Sequence, residues 1–290
     1  MKIAYAALTD VGLVRQNNED TYLLCAEAAE RAHTPPPASG EGIAETNGVG
    51  VLLAVADGMG GALAGEVASK MAVEALAEVA KSFDADDSEE QAREKVLQAI
   101  RKVNESIYEA SLNNPQQRGM GTTLTVALLR AGRVQFFQVG DSKGYIGRDG
   151  QLHQMTEDQS LIGKLIHDKV ITAEDAEQLE GGRNIILQAL GAEPTVKVDV
   201  STSTLAEGDQ VLLCTDGLHG CIKQQELEEI VARGADTGKL CEDLVGVARD
   251  RGGPDNITVI TVTVLEGGEE PRPPGLLGGI ATWFGGLFRG

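Results

Sequence analysis

Two Asp-Gly pairs each close a long apolar run: VLLAVADGMGG, where Asp57 precedes Gly58, and VLLCTDGLHG, where Asp216 precedes Gly217. Alone, Asp-Gly is a turn signal. At the end of a buried strand it sets a carboxylate at the rim of a sheet, fixed by packing yet reachable from a cleft. Other acids hold similar positions. Asp255 directly precedes NITVI, Asp141 follows FFQVG, and Glu19 and Asp20 precede TYLLC.

Carboxylates gathered without His or Cys repel one another unless a cation neutralises them. An all-oxygen set selects hard ions such as Mg²⁺, Mn²⁺ or Ca²⁺ over Zn²⁺. A bridging carboxylate with terminal ones can hold two ions roughly 3.5–4 Å apart, a geometry suited to in-line phosphoryl chemistry. Spacing along the chain does not by itself bring these acids to one place.

The elements that could do so are legible in outline. Apolar stretches at 3–8 and 21–25 suit strands, with a polar loop over 9–20 between them. Residues 33–48, HTPPPASGEGIAETNG, read as a loop or insertion because of their prolines and glycines. The run ending at Asp57 suits a strand covered on both faces. Two helices should follow. One spans 63–79 with Leu63, Val67, Met71, Ala75 and Val79 in line; the other spans 94–112 with Val96, Ile100, Val103 and Ile107 in line. GTTLTVALLR, RVQFFQVGDS and KGYIGRDGQLHQM read as antiparallel meander strands, and 160–182 as short helices with Thr172 at an N-cap. DQVLLCTDG, helices over 224–232 and 237–249, and the strand NITVITVTV complete the chain's ordered part. The order β, αα, ββββ, small helices, ββ, αα, β implies a layered α+β fold and excludes a doubly wound one.

Composition narrows the partners. With 44 acidic and 25 basic residues the net charge is −19, a field that repels nucleic acid and anionic lipid. Cys25, Cys214, Cys221 and Cys241 show no metal-binding spacing and suit small buried hydrophobes. No signal peptide and no transmembrane run is visible, so a cytoplasmic location is expected. Residues 266–275 read as a linker. Residues 276–290 form an apolar amphipathic tail whose Leu276, Leu277, Ile280, Trp283, Phe284, Leu287 and Phe288 would share one helical stripe. The tail is expected to contact a partner protein, a membrane interface or the main domain through 276–288.

Taken together, TDVGLVRQNNED (9–20), VADGMGG (55–61), GMGTTLT (119–125), VGDSKGY (139–145), MTEDQSL (155–161), QALG (188–191), LLCTDGL (212–218) and GGPDNITV (252–259) resemble the metal-dependent protein phosphatase family of type 2C, in its bacterial form. The resemblance covers about residues 3–265 with the motifs in order. It implies a catalytic domain over 1–265 built of two antiparallel sheets between antiparallel helix pairs, with a flap at about 160–182. It also implies hydrolysis of phosphoserine and phosphothreonine in proteins, opposing Ser/Thr kinases, by water activated between two Mn²⁺ or Mg²⁺ ions.

Residue by residue, the resemblance implies that Asp57 bridges the two ions and the Gly58 carbonyl assists. Asp216 and Asp255 complete the first ion's shell. Glu19 supports the second through water, Asp20 holds ion-bound water, and Asp141 with Asp216 forms a weaker third site. Arg15 grips the substrate phosphate, and Asn256 supports the ligands from behind.

Four positions depart from the family's pattern. Met59 stands where a His could serve as acid, and Lys143 replaces Arg and is expected to stand away from the cleft in a structural role. Gln159 and Gln188, which replace His and Arg, are expected outside the metal shell. Two other functions compete: a non-catalytic member that only binds phosphoproteins or partners, and an acidic cation-binding module without chemistry. The intact acid set speaks against the first, and the lack of an EF-hand loop against the second.

Overall fold

The computed structural model describes residues 1–25, 38–46, 48–61, 64–172, 175–176, 185–234 and 236–268. Its chain forms two antiparallel sheets. The first holds β1 (Lys2–Asp10), β3 (Ser39–Glu45), β8 (Lys143–Arg148), β9 (Gln151–Gln154), β11 (Gln210–Cys214) and β12 (Ile257–Glu266), in the order β3-β1-β12-β11-β8-β9. The second holds β2 (Asp20–Cys25), β4 (Val51–Met59), β6 (Leu124–Arg130), β7 (Arg133–Val139) and β10 (Asp199–Thr204), in the order β10-β7-β6-β4-β2, with the short β5 (Gly121–Thr122) also paired to β4.

Three apolar layers hold four structural layers together. Ile3, Leu53, Phe136, Leu213 and Ile260 fill the space between the sheets. The helices α1 (Ala64–Ala80) and α2 (Glu89–Asn113) cover the second sheet through Leu76, Ile100, Leu124 and Phe137. On the far side α5 (Gln224–Ala232) and α6 (Thr237–Asp250) cover the first sheet through Leu212, Leu227, Leu244 and Val259. The expected αββα architecture is therefore present. Two short helices, α3 (Leu161–His167) and α4 (Asp216–His219), lie at one end of it.

Four features differ from the sequence-based expectation. Residues 39–45 are not loop but the edge strand β3, in register with β1 from Lys2↔Glu45 to Leu8↔Ser39. Its exposed, alternating face hid it, and Gly42 leaves room for the Tyr5 ring, whose hydroxyl would stand 2.5 Å from a Cβ there. The strands after Pro115 are not one meander, since β7 and β8 belong to different sheets. In α1 the buried face is Ala68, Ala72, Val73, Leu76 and Ala77, with Val67, Met71, Ala75 and Val79 on its flank, because small side chains let the helix lie close to the sheet. Finally, α2 starts at Glu89, where Ser88 and Gln91 form a reciprocal capping box.

No helix among the described residues is long and apolar enough to cross a membrane. The expected 276–290 tail and most of the 266–275 linker lie outside the described residues.

One buried cation ties the layers. Arg130, at the end of β6, donates from Nη2 to the carbonyls of Asp84, Ala85 and Asp87 at 2.9, 3.1 and 2.6 Å, closing the α1–α2 connection onto the sheet. Arg130→Met keeps an apolar stem but leaves those carbonyls without their donor. It should cost about 2–3 kcal/mol, measured as a lower urea midpoint at unchanged slope; an unchanged midpoint would contradict this role.

Candidate metal centre

The two sheets meet at one end, where strands of each sheet begin or stop at an acid. In the second sheet Asp20 opens β2 and sits directly opposite Asp57 near the end of β4. The backbone of Asp57 is locked on both sides. Its N–H donates to Thr123 Oγ1 at 3.0 Å, and its carbonyl accepts from Thr122 Oγ1 and the Thr123 N–H, each at 2.9 Å. Gly58, next along, has no room for a side chain: a Cβ would lie 2.3 Å from the Gly65 carbonyl oxygen on α1.

The first sheet supplies the remaining acids. Asp216 begins α4 just after β11, and Asp255 lies two residues before β12. These two segments touch through Gly217, where a Cβ would meet the Asn256 carbonyl at 1.9 Å. Asp141 lies in the three-residue link that carries the chain from β7 to β8 across the seam between sheets. Thr215 joins the two sets, donating from Oγ1 to Asp20 Oδ2 at 2.8 Å and accepting from the Thr258 N–H at 3.0 Å.

The loop over residues 11–19 folds across this end. Asn256 holds it, with Nδ2 donating to the carbonyls of Val11 and Asn17 at 3.0 and 2.9 Å and Oδ1 accepting the Glu19 N–H at 2.8 Å. Gly12, at φ +77°, passes so close to Asp255 that a Cβ would be 2.2 Å from its carbonyl. The loop presents Glu19 and Arg15 to the cleft, and Arg15 Nη2 donates to Asp255 Oδ2 at 2.7 Å. Arg15, Asp216 and Asp255 line both halves of the cleft. Glu19, Asp57 and Gly58 lie in one half, and Asp141 with Lys143 in the other.

Burial and mutual repulsion dominate the charges. Burial drives Asp57 well above the usual carboxylate range, and the charges of Asp20, Asp216, Asp141 and Asp255 push the same way. Burial, then Asp216, lifts Asp141 to about 7. Asp20 also reaches about 7 through burial, although hydroxyls of Thr215 and Thr258 draw it back. Burial raises Asp216 and Glu19 as well. Bound cations would reverse this trend in every one of these groups.

The residues fit divalent ions. The buried oxygens Asp20 Oδ1, Asp141 Oδ1 and Asp216 Oδ1 have no hydrogen-bond partner, and the donors are all hard oxygens. As they stand, no three His, Cys, Asp or Glu side chains among the described residues close a metal shell. Two of the acids are turned to other partners, Asp255 to Arg15 and Asp20 to Thr215.

All the expected site residues thus lie at this one end: Arg15, Glu19, Asp20, Asp57, Gly58, Asp141, Asp216, Asp255 and Asn256. The hydroxyls of Thr122, Thr123 and Thr215 carry positioning that the sequence reading missed. Their signal was available as Thr beside Asp in TDG and as the Thr pair in GMGTTLT. His219, given no role from sequence, reaches the larger half of the cleft. Its Nε2 is buried and unpartnered, and burial holds the imidazole well below its usual range.

Among the departures, Met59 lines the metal half of the cleft. Lys143, expected to stand away from the cleft, lines it and pairs with Asp158 at 3.6 Å, because β8 starts at the seam. Gln159 stays out of the acid cluster. It is buried, with Oε1 accepting the Gly140 N–H at 2.8 Å and Nε2 donating to Asp199 at 2.7 Å. Gln188 accepts the Lys197 N–H at 3.1 Å.

Comparison with known proteins agrees with this geometry. The family model described as Protein phosphatase 2C matches residues 42–242. The serine/threonine phosphatase stp of Listeria monocytogenes is 35% identical over 254 residues, covering 88% of this chain and 93% of the relative. The crystal structure of the Mycobacterium tuberculosis serine/threonine phosphatase PstP superposes with a TM-score of 0.74 at 34% identity, covering 92% of this chain and all of that one. The PstP catalytic domain in complex with two manganese ions gives a TM-score of 0.73 at 33% identity over the same shares.

Asn256 provides a test that does not depend on turnover. Asn256→Ala removes all three side-chain hydrogen bonds to the 11–19 loop, so amides of that loop should exchange faster with deuterium. Mn²⁺ affinity, measured by calorimetry, should fall about tenfold or more. Unchanged exchange and affinity would remove Asn256 from the supporting structure.

Proposed function

The chain belongs to the protein phosphatase 2C family, and from that membership we propose that it hydrolyses phosphoserine and phosphothreonine in proteins with a pair of divalent ions. The observation that carries this reading is the set of buried, unpartnered oxygens on Asp20, Asp141 and Asp216, of which Asp141 and Asp216 line a cleft with Arg15. Asp57, the Gly58 carbonyl, Asp216 and Asp255 would hold the ions, with Glu19 and Asp20 supporting them through water. Asp141 with Asp216 would take a weaker third. Ions bound there activate water near neutral pH and offset charge on the phosphoryl oxygens.

The chain's own residues orient the reaction. Arg15 offers a planar fork that matches two phosphate oxygens and holds them beside the carboxylates. The Asn256 clamp fixes the backbone that carries that fork, while the threonines hold the backbone of Asp57. Met59 has no proton to give, so the leaving oxygen is protonated by water in the cleft. Oxygen donors suit manganese and magnesium alike, and the two manganese ions of the PstP structure support manganese. The relative's designation as a serine/threonine phosphatase supports that substrate class and Ser/Thr kinases as the opposing partners. The catalytic unit in this reading is residues 1–265, followed by the 266–275 linker and the 276–290 tail. A non-catalytic member would be expected to lack a ligand, and here every expected acid is present.

Turnover of an aryl phosphate should require added Mn²⁺ or Mg²⁺ and vanish in excess EDTA; full activity in chelator would sink the reading. Asp57→Asn should slow turnover about a hundredfold or more. Because burial and the acidic neighbours already disfavour the charged form of Asp57, replacing its carboxyl by a neutral amide should not lower the melting temperature of the metal-free chain.

Arg15→Ala should raise KM for a phosphopeptide about tenfold with a smaller loss in kcat. Steady-state kinetics at saturating Mn²⁺ that left kcat/KM unchanged would make Arg15 a surface residue only.

A further inference from the structure

Two large apolar side chains stand in solvent at the mouth of the metal cleft. Val14 is 68% exposed and Ile185 is 50% exposed, and both line the half that contains Asp57 and Glu19. Met59 and Ile186, each partly buried, belong to the same lining.

Their exposure is built into fixed backbone. Val14 sits between the two carbonyls that Asn256 clamps, and the neighbouring Leu13 N–H donates to the Gly253 carbonyl at 2.8 Å. On the other side, the Leu161 N–H donates to the Ile185 carbonyl and the Leu187 N–H to the Gln159 carbonyl, both at 2.8 Å, while Ile186 bridges to Ser160. These bonds hold the backbone of both segments at the mouth of the cleft.

We propose that Val14 and Ile185, with Met59 and Ile186, form an apolar rim that accepts an apolar side chain flanking the phosphorylated residue of a protein substrate. The proposal rests on the phosphatase reading above and gives that reading its substrate preference. Val14 directly precedes Arg15, so a phosphate gripped by Arg15 places its own chain beside the rim. An extended peptide advances about 3.3–3.6 Å per residue, which brings the adjacent residues onto these side chains. An apolar neighbour would cover surface that otherwise stays in water. An acidic neighbour would lose hydration against the rim, and among the described residues of this half of the cleft Arg15 is the one cation, already committed to phosphate.

The test uses the full chain with Mn²⁺ and three phosphothreonine peptides identical except for the two residues beside the phosphothreonine, which are Leu, Ser or Glu. The expected kcat/KM for the Leu peptide exceeds that for the Ser peptide by about fivefold or more, with the Glu peptide poorest. In Val14→Ser/Ile185→Ser the Leu-to-Ser ratio should fall toward one. Because it is a ratio, it does not depend on how much of the variant is active. Aryl phosphate turnover by the unmodified chain with no preference among peptides would overturn the rim alone. A preference that survives in the double variant would also overturn it. Failure on aryl phosphate and all three peptides would overturn the phosphatase reading beneath it. A dimer that the double variant abolishes, seen by sedimentation, would make a second copy the occupant and overturn the substrate rim.

Discussion

Like charge held at close quarters is the constraint on which this structure turns. Asp20, Asp57, Asp141, Asp216 and Asp255 come from different strands and links, yet after burial itself the charges of the other four all push Asp57 upward. Two carboxylates at contact distance repel by up to about 4 kcal/mol at the dielectric typical of a protein near its surface. A flexible scaffold would let them part or protonate. Holding them needs rigidity that does not come from the acids themselves.

That rigidity comes from where the acids sit. A single sheet could place carboxylates along one edge only, whereas two stacked sheets bring strand ends together from both sides of a seam. The inter-sheet layer of Leu53, Phe136, Leu213 and Ile260 fixes the separation of the sheets. Small residues then close the remaining gaps. Gly12, Gly58 and Gly217 stand where any side chain would collide with backbone of the opposing segment. Hydroxyls complete the frame without adding charge, since Thr123 holds the Asp57 backbone N–H and Thr215 bonds to both the Asp20 carboxylate and the Thr258 backbone. Core packing and neutral hydrogen bonds thus offset the repulsion that the acids introduce.

This division explains what the sequence made legible. The acids were visible because each interrupts or borders an apolar run, and buried strands such as Val51–Met59 have few alternatives to being strands. Helices with a continuous apolar stripe, such as α2, were visible for the same reason. The edge strand β3 was not, because only Ala44 in it is buried. The polar β10 gave an equally weak apolar signal, and in the fold it pairs β7 in full register from Asp199↔Gln138 to Thr204↔Arg133. Lys143 was misjudged because local sequence does not show that the chain changes sheet at Gly140, whose φ of +100° permits the crossing. Motif similarity supplied what periodicity could not: the convergence of acids spread from Glu19 to Asp255.

The Arg15–Asp255 pair joins the two halves of the site's chemistry. The guanidinium occupies one oxygen of a carboxylate expected to hold an ion, and the Asn256 N–H occupies the other at 2.9 Å. Both partners are substantially exposed, with side chains 53% and 31% accessible. An exposed pair of this kind contributes about 0–1 kcal/mol, so separating it demands little. The loop that carries Arg15 is firmly clamped, while the ion pair at its tip is weak. In the proposed reaction a phosphate would offer the same fork a second pair of oxygens with more charge, and the hold on Asp255 would be easily exchanged for it. The clamped backbone would keep Arg15 at the cleft during that exchange, so only its side chain would have to move.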